Sequence, residues 1–150
     1  VLDIPEHIEI NIINKMEDEP TAELDRDQFS QVLLNLINNA VDAMLEVKSI
    51  RHKLELSIDG DKENVFIAVK DTGAGIPEKY INKIFDPFFT TKEIGKGTGL
   101  GLPVSYGIIK MHSGEIKVES NSDITKGETG TTVTVNLPRS ETRYSVSKGF

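Results

Sequence analysis

The stretch DRDQFSQVLLNLINNAVDAM, residues 25–44, decides how this chain folds. Asp25, with Gln28 three residues on, has the form of a capping box, so a helix is expected to begin here. Phe29, Val32, Leu33, Leu36, Ile37, Ala40, Val41 and Met44 then recur at three- and four-residue steps and give one apolar face of about five turns. On the opposite side Asn35, Asn39 and Asp42 fall within about 60° of one another. A solvated helix face is normally made of Lys, Glu, Gln or Arg, because each mid-helix Asn costs about 0.5 kcal/mol relative to Ala. The stripe is either an unusual solvated face or a line that meets a ligand. A short, neutral amide oxygen is what Mg²⁺ accepts beside phosphate oxygens and water, without a further negative charge next to a triphosphate.

Strand patterns surround this helix. HIEINIIN (7–14) alternates Ile8, Ile10 and Ile12 with polar residues, and a short strand is expected at Thr21 to Leu24. KLELSID (53–59) and NVFIAVKD (64–71) are strands joined by a hairpin-like connection, the second with an apolar run that predicts burial on both sides. GEIKVES (114–120) and GTTVTVNLP (130–138) alternate again, with Ile116, Val118, Val133, Val135 and Leu137 on one face. Helices are expected at about Glu78 to Ile84 and Leu100 to Met111. The fold class is therefore α+β, a two-layer α/β sandwich in which a mixed, mostly antiparallel sheet of about five strands packs on about three helices.

Composition sets the outer limits. With 150 residues, 37% of them hydrophobic and 27% charged, the chain suits one globular domain. A net charge of −7 argues against nucleic acid or an anionic membrane surface as the main partner. The absence of cysteine excludes disulfides, zinc thiolates and thiol nucleophiles. No apolar run reaches the roughly 18 residues of a membrane span, and a beginning at Val1 suggests a piece of a longer protein. Residues 1–138 are expected to form the domain and residues 139–150 a polar tail.

Two further stretches carry chemistry. Asp71 ends the 64–71 strand and is followed by TGAGIP, with Gly73 and Gly75. Such a sequence is ordinarily a turn. A carboxylate at a strand mouth can also accept the exocyclic amine of adenine, where guanine would present a carbonyl and be repelled. Beyond it, FDPFFTTKEIGKGTG lacks an apolar period, and a loop that long in a small domain is usually functional, often a lid. It closes on Gly95, Lys96, Gly97, Thr98, Gly99, Leu100 and Gly101, which run into a helix as a plausible phosphate cradle. It is not a Walker P-loop, since Gly97 follows Lys96 where Ser or Thr is needed, and no strand precedes it as a Rossmann turn requires.

Taken in order, the asparagine helix, DTGAGIP, FDPFFTTK and GKGTGLGL resemble the N, G1, F and G2 boxes of the sensor histidine kinase ATP-binding domain, of the GHKL group and Bergerat fold. The resemblance covers residues 5–138 and looks closest to the nitrogen-regulation and sporulation-like kinases. It implies Mg²⁺ and ATP as cofactors, with Asn39 as the metal-coordinating amide and Asn35 beside the phosphates. It further implies Asp71 as the adenine-binding carboxylate, with Gly73, Gly75 and Ile76 around the base. Phe85, Phe88 and Phe89 match the F box that anchors a lid at about 86–98, and Lys92 is the cation for the terminal phosphate. Gly97, Thr98, Gly99, Leu100 and Gly101 match the G2 loop, and Thr131 a polar position near the base. Asn35, Asn39 and Lys92 are the catalytic candidates. Two departures stand out: Asp42 occupies a position where many of these kinases are basic, and KGETGTT has Glu128 and Val133 where Gly and Phe are common.

The related hydrolases carry a Glu one turn before the metal-binding Asn to activate water. Here that residue is Asn35, which is no useful base at neutral pH, so phosphotransfer is expected rather than hydrolysis. The acceptor histidine would lie on a separate helical dimerisation hairpin, because His7, His52 and His112 do not fit such a box; C-terminal dipole stabilisation accounts for His112. The implied partners are that hairpin in a homodimeric parent and a downstream response regulator, with no nucleic acid and no membrane insertion by this segment. The implied location is cytoplasmic, whether or not the parent is membrane-anchored. The alternatives are a non-catalytic nucleotide-sensing module and a serine-directed GHKL kinase.

Overall fold

The structure, a computed structural model, describes residues 3–49, 51–92 and 99–140. The Asp25 carboxylate accepts from Gln28 N at 2.9 Å and starts helix α1, Arg26–Leu45. The apolar face of α1 buries Val32, Leu36, Ile37, Ala40, Val41 and Met44. Each large side chain removed from water in this way contributes about 2 kcal/mol.

Five strands form the second layer: β1 Ile8–Asn14, β2 His52–Gly60, β3 Asn64–Asp71, β4 Glu115–Asn121 and β5 Gly130–Pro138. Their order in the sheet is β1-β2-β3-β5-β4, with β1 and β2 parallel and the other neighbours antiparallel. A parallel pair needs a crossover, and α1 supplies it. Helix α2, Gly101–Met111, packs on α1 and adds Ile108 and Ile109 to the core with Leu54, Val69, Val135 and Leu137. The α+β sandwich expected from the sequence is the observed fold.

Two local expectations need correction, and a third gains its helix type. Residues Thr21 to Leu24 form no strand, only an isolated bridge between Ala22 and Arg139, because the α1 cap follows three residues later. The short helix expected at about Glu78 to Ile84 is present as a 3-10 helix, Glu78–Lys83, with no buried residue. Strand β3 is not buried on both sides: Val65 and Val69 are, whereas Phe66 and Ala68, facing away from the helices, are half-buried. The sheet's outer face has no covering layer among the described residues. Arg139, just past β5, donates to Asp61 O at 2.9 Å and pairs with Asp18. Residues 141–150, most of the expected tail, lie outside the described residues.

Candidate nucleotide site

Polar side chains that break the inward apolar alternation gather at one end of the sheet. In β3 the inward series Val65, Ile67, Val69 ends on Asp71, which is 5% exposed. Its Oδ1 accepts from Gly73 N at 2.8 Å and Thr131 N at 3.3 Å. Burial pushes the Asp71 carboxyl up to about 6, against these two N–H donors and the nearby His52, which lower it. A buried carboxylate of this kind, at a strand end beside a cavity, is a candidate functional group.

The chain after Asp71 is pressed onto α1. Ala74 N donates to Ala43 O at 3.0 Å, and a Cβ on Gly73 would stand 2.5 Å from the Ala43 carbonyl carbon. Gly75 has φ 74°, and a Cβ there would reach 2.0 Å from Asn121 O. Only glycine meets both demands. Ile76 N donates to Ser120 Oγ at 2.7 Å, and Ser120 Oγ lies 2.7 Å from Thr131 Oγ1, so one serine joins this loop to the strand beside Asp71.

Between this loop, α1 and the start of α2 lies a cavity of about 340 Å³. Its walls include Asn35, Asn39, Asp42 and Lys92, with Gly75 and Ile76 from the loop after β3 and Gly99 and Gly101 from the start of α2. The asparagine stripe therefore faces a ligand-sized space. The Asn35 amide donates to Gly101 O and Ser105 Oγ, each at 3.3 Å, and so also ties α1 to α2. Lys92 Nζ pairs with Asp42 across the mouth. Where a basic residue was to be expected, an acid stands that already holds the candidate cation.

Asp71, Gly73 and Thr131 do not line this cavity; they are buried beside it at the sheet end. Leu100 is half-buried between the two lining glycines. Phe88 stands apart from the site: it is 74% exposed, with φ 67°, a strained value for an aromatic residue, and its N–H donates to Gly99 O at 3.0 Å. Phe89 lines the cavity and packs on Tyr80 at 5.5 Å between ring centroids, while Phe85 packs on Tyr106 at 5.2 Å. Gly95, Lys96, Gly97 and Thr98 lie outside the described residues.

Sequence reasoning missed Ser105, Ser120 and His52. Each is a polar residue at an inward-facing position of an otherwise apolar series, and that was the available signal. His112 also differs from expectation. Its Nε2 accepts from Asp25 N at 2.9 Å and its Nδ1 lies 2.7 Å from Ile108 O, so the ring is neutral and links the end of α2 to the start of α1.

Among the described residues no group of three or more His, Asp or Glu side chains is arranged to hold a metal ion. The donors at hand are the Asn39 amide and the Lys-paired Asp42 carboxylate. That set fits Mg²⁺ carried in on phosphate oxygens and water, and not a caged structural ion.

A two-layer sandwich with a carboxylate at a strand mouth, an amide-lined cavity and a glycine-flanked helix start places the chain in the class of nucleotide-binding α+β domains. The family profile of histidine kinase-, DNA gyrase B- and HSP90-like ATPases matches residues 24–141, and the chain belongs to this family as a domain of the histidine kinase catalytic type. Sporulation kinase A of Bacillus subtilis (strain 168) is 44% identical over 115 residues, 77% of this chain and 17% of that protein. The catalytic domain of the histidine kinase ThkA superposes with a TM-score of 0.73 at 33% identity, over 90% of this chain and 82% of that one. Full-length ShkA in complex with AMPPNP gives 0.72 at 25% identity, over 89% of this chain and 26% of that one. No helix among the described residues is long and apolar enough to cross a membrane.

Proposed function

We propose that residues 1–138 are the ATP-binding catalytic domain of a two-component sensor histidine kinase, with a lid at about 86–98 and a tail at 139–150. It binds Mg-ATP and passes the γ-phosphoryl group to a histidine on a helical dimerisation domain of a homodimeric parent, from which a response regulator takes it. The observation that carries this reading is that the loop leaving buried Asp71 docks on the same helix whose next face, Asn35, Asn39 and Asp42, lines the cavity. One nucleotide can then be held at both ends. The similarity to ShkA, solved with AMPPNP, supports the choice of ligand.

In this reading Asp71 accepts the adenine amine through the carboxylate oxygen that Gly73 and Thr131 leave uncommitted. Gly73, Gly75 and Ile76 border the base, with Thr131 beside it, and the Asn39 amide oxygen faces the phosphates as the metal ligand. Mg²⁺, when bound, neutralises charge on the β- and γ-phosphate oxygens. Lys92 exchanges Asp42 for the terminal phosphate, an anion of higher charge, and Gly97, Thr98, Gly99, Leu100 and Gly101 follow the phosphate chain. Asn35 orders the α2 start and offers no base, so water is not activated and the phosphoryl group waits for an imidazole nucleophile. Phe88, exposed beside the strained turn, is assigned to the closed lid. The domain works on the cytoplasmic side.

The test is to mix the chain with dimerisation hairpins of related kinases and labelled ATP. Phosphohistidine on a hairpin is expected, and its absence with every hairpin overturns the transferase reading. Asn39→Ala should abolish transfer and Mg²⁺-dependent binding while leaving the melting temperature within a few degrees, since Ala is the better helix former. Were it to alter binding and lid order alone, a nucleotide-sensing module would be the better reading.

A further inference from the structure

The β2–β3 backbone ladder runs from Gly60↔Val65 to Leu54↔Asp71 and stops at the residue proposed to read the base. The next rung is built from side chains. Lys53 N donates to Thr72 Oγ1 at 3.0 Å, and the same oxygen lies 3.2 Å from His52 Nδ1. The other ring nitrogen, Nε2, lies 3.1 Å from Val47 O. A carbonyl only accepts, so Nε2 carries a hydrogen toward Val47 O, and Nδ1 shares a hydrogen bond with the Thr72 hydroxyl.

The position explains little by itself. His52 is 2% exposed, sits beside buried Ile8 in the β1–β2 register, and precedes Leu54 on the inward face. An aliphatic side chain would suit such surroundings, whereas an imidazole must have its nitrogens bonded or be costly. What the ring joins is informative. Val47 belongs to the turn that ends α1, its N–H donating to Met44 O at 3.1 Å, and Thr72 directly follows Asp71. His52 thus bridges the end of the helix carrying Asn39 and Asp42 to the end of the strand carrying Asp71.

We propose that His52 is a positioning residue for base recognition, acting through Thr72 to fix Asp71 relative to α1. This rests on the proposed function. Selection of adenine over guanine depends on a carboxylate that cannot swing aside from the guanine carbonyl. Thr72, clamped on both sides, denies Asp71 that freedom. Among the described residues, His52 makes no hydrogen bond to Asn35, Asn39, Asp42 or Lys92.

The experiment is calorimetric titration of the whole chain and its variants with Mg-AMPPNP, Mg-GMPPNP and Mg-tripolyphosphate. For His52→Leu, AMPPNP affinity is expected to fall about tenfold, the scale of one lost buried hydrogen bond, with GMPPNP affinity level or raised and tripolyphosphate unchanged. His52→Gln, which retains a donor and an acceptor, should restore most of the preference. Thr72→Val removes one hydroxyl at nearly constant shape and should narrow the preference similarly; it decides the matter if His52→Leu does not fold. Folded variants that keep the wild-type AMPPNP to GMPPNP ratio overturn the proposal, as does an equal loss for all three ligands, the sign of a merely structural role. A wild-type chain that binds no nucleotide, or binds both bases equally, would instead sink the proposed function and this inference with it.

Discussion

The two ends of the site are built by opposite means. At the sheet end, Asp71 is 5% exposed and its surroundings are finished: Gly73 and Thr131 donate to it, Ser120 ties the following loop to β5, and a glycine meets a helix backbone where no Cβ fits. At the cavity end, Asn39, Asp42 and Lys92 are half-buried, and an ion pair between Lys92 and Asp42 holds the mouth. The difference teaches that the base end is preorganised, with its desolvation already met in folding, whereas the phosphate end is left for the ligand's own charge to arrange. Strain sits at the border of the second region, where Phe88 has φ 67°.

The comparison breaks most sharply at Asp71. Asp71→Asn puts an amide donor where the adenine amine must donate, and the expected loss of ATP affinity is a hundredfold or more, roughly 3 kcal/mol, by titration. Its folded state should be no less stable at neutral pH, because a costly buried charge is gone. A variant that still bound ATP normally would place the base elsewhere.

Gly75→Ala tests the rigidity of the same end. With φ 74° and Asn121 O at 2.0 Å from the added carbon, the substitution should cost about 2–3 kcal/mol by denaturant unfolding. Gly127→Ala, where φ is 128° and no atom lies within 4 Å of the new carbon, isolates the backbone part of that cost.

Acid should sharpen the contrast further. Asp71, raised to about 6, must be ionised to accept the amine, so ATP affinity should be level above pH 7 and fall about tenfold per unit below 6. Stability moves the other way for this group. Its folded value lies above the ordinary 3.8, so the protonated form favours the fold, fully below 3.8, and that contribution of about 3 kcal/mol is lost as pH rises through 6. Tripolyphosphate affinity followed over the same range should lack the base-end transition.

The smallest effect is expected at the cavity mouth. Asp42→Asn breaks a pair whose side chains are 26% and 44% exposed, so stability should change by under about 1 kcal/mol. Lys92 is released by the change, and ATP affinity should rise by a few fold at low salt. A fall would mean that Asp42 itself serves the metal.

The inward polar residues show how far a sequence reading reaches. Asp71 was legible because it ends an apolar strand run, is followed by two glycines, and matches the adenine-binding carboxylate of the family the chain resembles. Ser120 and His52 obey the same alternation at the ends of β4 and β2, yet nothing local distinguishes a strand end at the site from one in solvent. The register does so. Leu54 pairs with Asp71 and Ser120 with Thr131, which brings four strand ends to one place. Likewise Asn35 and Asn39 look alike in the helix, and only the approach of α2 commits Asn35 to Gly101 O.

By itself the sequence determined the α1 cap and apolar face, the five strand segments, the absence of thiol chemistry and the order of the four boxes, because each is written in the period or chemistry of neighbouring residues. Only the tertiary structure decided that Asp42 already holds Lys92, that His112 is neutral between two helices, and that His52 bridges a helix to the base-end strand. These are contacts between residues 20 to 87 positions apart or, for His52 and Val47, between a strand start and a helix end, and such pairing is set by packing and strand register, which no local pattern contains.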